Sequence, residues 1–202
     1  MTYNGWRGKR KSLRRRKKME ELPLLQLGDL EKCSGRTVAL DTETTGLSWY
    51  FNEIIGISIN CPSAGVTGYL VVDTPSMKED AVKIISEWDE NTIVIGHNLK
   101  FDLHFLRINP GKVPWKFMDT TVMVHLLDSR YRKGLAEAEK TFLGSDSKRR
   151  HVDKAPPKKM IWQWPLDVLS QYATNDAIVT YQLAEVLWPM LKEWGLEHLF
   201  WK

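Results

Sequence analysis

The chain has 202 residues, enough for one domain around one core, and its 43% hydrophobic content can fill that core. No apolar run approaches the roughly 20 residues needed to cross a bilayer, so no membrane partner is expected. The N-terminus also lacks the apolar stretch of a secretory signal, and a cytoplasmic location follows, the host cytoplasm if the source is a phage. Cys33 and Cys61 are the only cysteines and show neither metal-ligand nor disulfide-framework spacing, which fits a reducing interior. The formal charge of +4 is uneven: nine basic residues and no acid lie between Arg7 and Lys18, which leaves the remainder net negative. Such an arm attracts phosphate backbones without reading sequence.

Residues 1–23 read as this basic, disordered arm, and residues 24–202 as the folded domain. Thr37–Asp41, Ile54–Ile59 and Tyr69–Val72 read as three strands, separated by turn-formers such as Gly46, Asn52, Pro62 and Gly65. Met77–Trp88 has helical spacing, with Ala81, Ile84, Ile85 and Trp88 on one side. Thr92–Gly96 is a fourth strand, followed by a helix over Asn98–Arg107 that the Asn109-Pro110-Gly111 turn stops. Trp115–Met118 reads as a short fifth strand, and Asp119-Thr120 suits the N-cap of a helix through Leu127. Residues 144–160 are polar, with six Lys or Arg, and read as a long basic loop. A last helical region runs from Pro165 through Leu187, with a kink or restart expected at Pro189. Three meander strands followed by strand–helix alternation predict an α/β fold, a mixed sheet with helices on its faces.

Four acids and a phenol stand out. Asp41 and Glu43 are two apart at the end of the first strand, so they share one side of it. Two close carboxylates repel each other unless a cation sits between them, and oxygen ligands select Mg²⁺ or Mn²⁺. Taken alone, the pair reads better as two solvated acids entering a loop. Asp102 follows the fourth strand, whose C-terminal end lies beside that of the first in a parallel arrangement, where ligands bind α/β sheets. Its plain alternative is a helix first-turn acid. Tyr172 and Asp176 are four apart and share a helix face.

Together these residues form three ordered motifs: Val38 to Leu47 (VALDTETTGL), Gly96 to Asp102 (GHNLKFD) and Tyr172 to Asp176 (YATND). In them the chain resembles the DnaQ-like (DEDDy) 3′→5′ exonucleases, and in particular the proofreading exonuclease domain of family A DNA polymerases. The resemblance covers about residues 35–200, including the stretch from Asp119 to Leu143, and implies a ribonuclease H-like fold. It assigns Asp41, Glu43 and Asp176 to one divalent cation, with Asp41 also reaching a second ion that Asp102 helps hold. Tyr172 would orient the attacking water. The sister branch has a His five residues before the last Asp, where this chain has Gln171. Substrate contacts are implied at Thr44, at Leu47 as a wedge against the terminal base, and at His97, Asn98 and Phe101. Many relatives have Tyr at the position of Phe101, so that position offers no hydroxyl here. Two cations, Mg²⁺ or Mn²⁺, roughly 3.5–4 Å apart would activate water and offset charge on the leaving oxygen.

The expected activity is hydrolysis of DNA from unpaired 3′ ends to 5′-nucleoside monophosphates, in proofreading, replication or repair. The expected substrate is single-stranded or frayed DNA, acted on by a monomer, with a separate DNA polymerase as a further partner. Trp162 and Trp164, beside the basic loop, are candidates to stack on bases. One rival is an exoribonuclease of the same fold. Another is a non-catalytic nucleic-acid-binding or polymerase-tethering module, against which all four acids are retained. In polymerase-linked relatives, a segment resembling Trp188–Lys202 leads into the polymerase. The chain is too short to hold one, which leaves a free-standing enzyme and an excised domain as alternatives.

Overall fold

The computed structural model describes residues 23–130, 134–145, 147 and 157–201. The basic arm and most of the 144–160 loop therefore lie outside the described residues.

Five strands, β1 (Thr37–Thr44), β2 (Ile54–Cys61), β3 (Val66–Val71), β4 (Ile93–Gly96) and β5 (Lys116–Asp119), form one sheet in the order β3-β2-β1-β4-β5. Short connections make β1, β2 and β3 an antiparallel meander. The longer crossovers through helices α2 (Pro75–Ser86) and α3 (Leu99–Leu106) bring β4 and β5 in parallel to β1. Helix α4 (Thr120–Leu127) follows β5 directly, and the long helix α6 (Leu166–Glu193) crosses the sheet, packing against β1, β2 and β3.

Alternation along β1 divides the core. Val38 and Leu40 point to one face, into a cluster with α2, α3 and the short helix α1 (Leu27–Glu31). Ala39 points to the other, where Ile95 and Met118 meet α4, α6 and the turn α5 (Leu135–Ala138). Ala173, Ala177, Thr180 and Ala184 are all buried on α6 and recur at helical spacing, so no long side chain holds the helix away from the sheet there. Buried Glu139, just after α5, accepts hydrogen bonds from the Ser145 hydroxyl (2.8 Å) and from the Ser147 amide and hydroxyl (2.8 and 2.9 Å). Asn175 Nδ2 donates to the same Ser147 hydroxyl at 2.7 Å, which ties this turn to α6.

The expected elements are present, with shifts. β1 continues to Thr44, so Asp41 and Glu43 lie within the strand and not at its end. The antiparallel partner extends this far: Asp41 pairs with Ser58 and Glu43 with Gly56, before a register shift at Thr44. Pro189 neither breaks nor restarts α6, which continues to Glu193. The missing amide falls on an exposed side of the helix, while Leu187 and Leu191 keep the flanking turns packed. Helices α1, α5 and α7 (Glu197–Phe200) are too short to register as periodic patterns.

Candidate active site

Asp41 and Glu43 share the β1 face that carries Ala39, and α6 lies across that face. Asp176 on α6 completes the group: one carboxylate oxygen from each of Asp41, Glu43 and Asp176 lies within 4.8 Å of the others. Glu43 and Asp176 are buried. Three anionic oxygens this close, partly withdrawn from water, suit a hard divalent cation, which takes oxygen ligands and cancels their repulsion. Tyr172 stands one turn before Asp176, and its hydroxyl is hydrogen-bonded to that carboxylate. Burial first, then the charges of Asp176, Glu43 and Asp41, hold the phenol above its ordinary value.

Asp102 lines the same cleft from the opposite layer. It is buried, and its Oδ1 accepts from the Thr42 amide (2.9 Å) and hydroxyl (2.6 Å). Thr42 alternates with Asp41 and Glu43, so β1 offers the three-acid group on one side and a seat for Asp102 on the other. For this reason Asp102 stands outside the tight cluster. Burial pushes its carboxyl up to about 7, against the Thr42 hydrogen bonds, which lower it; Asp119 adds a smaller push upward.

The cleft is about 430 Å³ and is walled by the β1 end from Asp41 to Leu47, by His97, Asn98 and Phe101, and by Ile161 and Trp162. All five expected substrate contacts, Thr44, Leu47, His97, Asn98 and Phe101, are on these walls. Thr120 donates its hydroxyl to the Gly96 carbonyl at 3.1 Å, so its contact with His97 Nδ1 at 2.8 Å is one in which the ring nitrogen donates. Asn98 takes a left-handed backbone conformation (φ 66°), one that Asn tolerates better than most residues. The two tryptophans divide. Trp162 is half-exposed on the cleft wall, whereas Trp164 is buried, edge-on to Tyr172 at 5.3 Å. Trp164 therefore cannot stack on a base. It belongs to a small core with Ile161, Leu169 and Tyr69 and supports the Tyr172 ring.

Three positioning residues escaped sequence reasoning. Asp119, expected only as a cap, accepts from the Thr121 amide and also from the Asn98 and Leu99 amides (3.0 and 2.9 Å), so it seats the α3 N-terminus that carries Asp102. Thr42, given no role from the sequence, donates its amide and hydroxyl to Asp102. Tyr69 is fully buried on β3, and its phenol is held above its ordinary value by burial and by Glu43 and Asp41. Its ring covers Gly56, where an added Cβ would come within 2.0 Å of it. Only the sheet register reveals this last role.

A sequence model of the 3′-5′ exonuclease family, the type found in family A DNA polymerases, matches residues 21–192. The chain belongs to the 3′-5′ exonuclease family. Two polymerases are similar to it in sequence. DNA polymerase I of Borreliella burgdorferi is 27% identical over 184 residues, covering 87% of this chain and 20% of the polymerase. DNA polymerase DpoZ of Acinetobacter phage SH-Ab 15497 is 25% identical over 167 residues, 73% of this chain and 26% of the polymerase. The chain thus spans only about a fifth to a quarter of these relatives' length. Among solved structures, Brucella melitensis NrnC bound to pGG superposes with a TM-score of 0.64 at 23% identity, over 83% of this chain and 78% of that one. The catalytic core of RRP6 from Trypanosoma brucei gives 0.62 at 17% identity, over 90% and 53%. The exonuclease fold is accordingly ribonuclease H-like. A further NrnC structure carries bound Mg²⁺. No helix among the described residues of this exonuclease is long and apolar enough to cross a membrane.

Proposed function

We propose that this exonuclease removes nucleotides singly from unpaired 3′ ends of DNA, releasing 5′-nucleoside monophosphates in the service of replication or repair. The observation that carries the reading is the group of Asp41, Glu43 and Asp176 oxygens within 4.8 Å of one another on the wall of an open cleft. The two polymerases among its relatives favour DNA over RNA.

Asp41, Glu43 and Asp176 would hold one divalent cation, Mg²⁺ or Mn²⁺, and Asp41 with Asp102 would hold a second. Bound there, such ions supply an activated water and offset the charge that develops on the leaving 3′-oxygen. The chain's own residues do the rest. Tyr172 stays protonated and orients the attacking water with its hydroxyl, itself set by the bond to Asp176 and by Trp164. Thr42 fixes the Asp102 carboxylate. Leu47, 85% exposed at the cleft mouth, wedges against the terminal base, and a paired end must be opened before it fits. Thr44, His97, Asn98 and Phe101 position the terminal nucleotides, with Trp162 on the facing wall.

The test is parallel digestion of end-labelled single-stranded, mismatched and blunt-duplex DNA, and of single-stranded RNA, with Mg²⁺ or Mn²⁺ and again in excess EDTA. The expected result is a ladder of mononucleotide release from DNA 3′ ends, fastest on unpaired termini and abolished by EDTA. Faster degradation of RNA, internal cuts, release from 5′ ends or full activity in EDTA would each overturn it.

A further inference from the structure

We infer that the β1–β2 loop, Thr45 to Glu53, is a stacking platform for unpaired bases upstream of the scissile end; this rests on the exonuclease reading above. The loop is held by hydrogen bonds within it, and its Glu53 carboxylate pairs with Lys78 at 3.7 Å. Thr45 and Glu53 are joined by an amide-to-carbonyl bond of 2.9 Å and by the Glu53 amide on the Thr45 hydroxyl at 3.0 Å. Ser48 donates its amide to Asn52 Oδ1 at 3.1 Å, while its carbonyl accepts from the Phe51 and Asn52 amides at 3.1 and 2.8 Å. Gly46 leaves room for the Asn52 side chain, since a Cβ there would come within 2.6 Å of its oxygen. Its large aromatic side chains face water: Tyr50 is 73% and Phe51 89% exposed.

The rings are already arranged as a stack. Trp49 lies nearly parallel to Tyr50, with centroids 3.7 Å apart and planes 28° apart. It also lies near-parallel to His104 of α3, at 5.3 Å and 17°. A base can add to such a run whatever its identity, because every base presents a π-face. The loop starts in the cleft wall: Thr45, Gly46 and Leu47 line the cleft beside the carboxylates, and Tyr50 and Phe51 follow within about 14 Å of chain from Leu47. A loop ordered before binding loses little entropy when it stacks. The occupant that fits exposed rings of this kind, next to a 3′-end site, is a single strand.

Binding is measured by fluorescence anisotropy in EDTA at low salt, with an eight-residue thymidine strand and an abasic strand of equal length and charge. The wild type should prefer the base-bearing strand by about ten-fold or more, in line with the stacking energies of single bases. Tyr50→Ala/Phe51→Ala should lose most of that preference while keeping a cooperative thermal unfolding transition, because both side chains are exposed. Tyr50→Phe should retain it. Equal affinity for both strands, no measurable affinity for either, or a preference that survives the double alanine variant would overturn the platform. Hydrolysis plays no part in this assay. A protein that cleaves nothing yet shows the preference would sink the exonuclease reading and leave the platform standing.

Discussion

At the residue scale, the proposed mechanism separates charge-holding from water-orienting. Asp41 is the acid expected to serve both cations, so Asp41→Ala should lower kcat by several orders of magnitude. Tyr172→Phe leaves the carboxylates in place and should cost about 10²–10⁴-fold, the range typical of a positioned proton-handling group. Single-turnover rates on a short single strand check this order, and a Tyr172→Phe loss exceeding that of Asp41→Ala would reverse the assignment. Thr42 gives a second measurement. Thr42→Val keeps the shape of the strand residue but removes the 2.6 Å donor to buried Asp102. The expected cost is about 1–3 kcal/mol of stability, read from the urea midpoint at neutral pH in metal-free protein. An unchanged midpoint would mean the bond contributes nothing.

At the scale of elements, α6 carries both Tyr172 and Asp176 and closes one face of the sheet. Its integrity past Pro189 is a packing effect. A helix-interior proline costs roughly 3 kcal/mol relative to alanine by intrinsic preference, and burial of Leu183, Leu187 and Leu191 on the same helix offsets it. Pro189 is exposed, so Pro189→Ala opens no cavity. The substitution should stabilise the domain by about 1–3 kcal/mol, seen as a raised Tm, with kcat unaffected because the site lies more than three turns away. A lowered Tm would show that the proline shapes the contact between α6 and its neighbours.

For the whole molecule, the charge asymmetry sets the last expectation. Residues 1–20 carry nine basic groups and none of the four acids. If this arm holds substrate, it does so through phosphates. Its deletion should raise KM on long single strands and flatten the salt dependence, by about 0.7 in log–log slope for each phosphate that the arm had neutralised. The kcat should stay nearly constant. An identical KM across a salt series for truncated and full-length protein would assign the arm to another role, such as docking on a partner polymerase or on the domain's own acidic surface.

Much of this was legible in the residues. The acids at 41, 43, 102 and 176 and the phenol at 172 stand at spacings dictated by strand and helix periods, and their motifs identify the family without coordinates. Strand and helix types followed from apolar periodicity for the same reason: each is a local property of the chain. What the tertiary structure decided is non-local. Only the parallel pairing of β1 with β4 brings α3 beside β1, and only alternation along β1 sets Asp102 on Thr42 while the other three acids meet on the opposite side. The burial of Trp164, its neighbour Trp162 left in the cleft, and the reach of Tyr69 toward Glu43 depend likewise on which layers pack together. No residue spacing encodes that choice, because contacts across a sheet are set by register and packing between segments far apart in the chain.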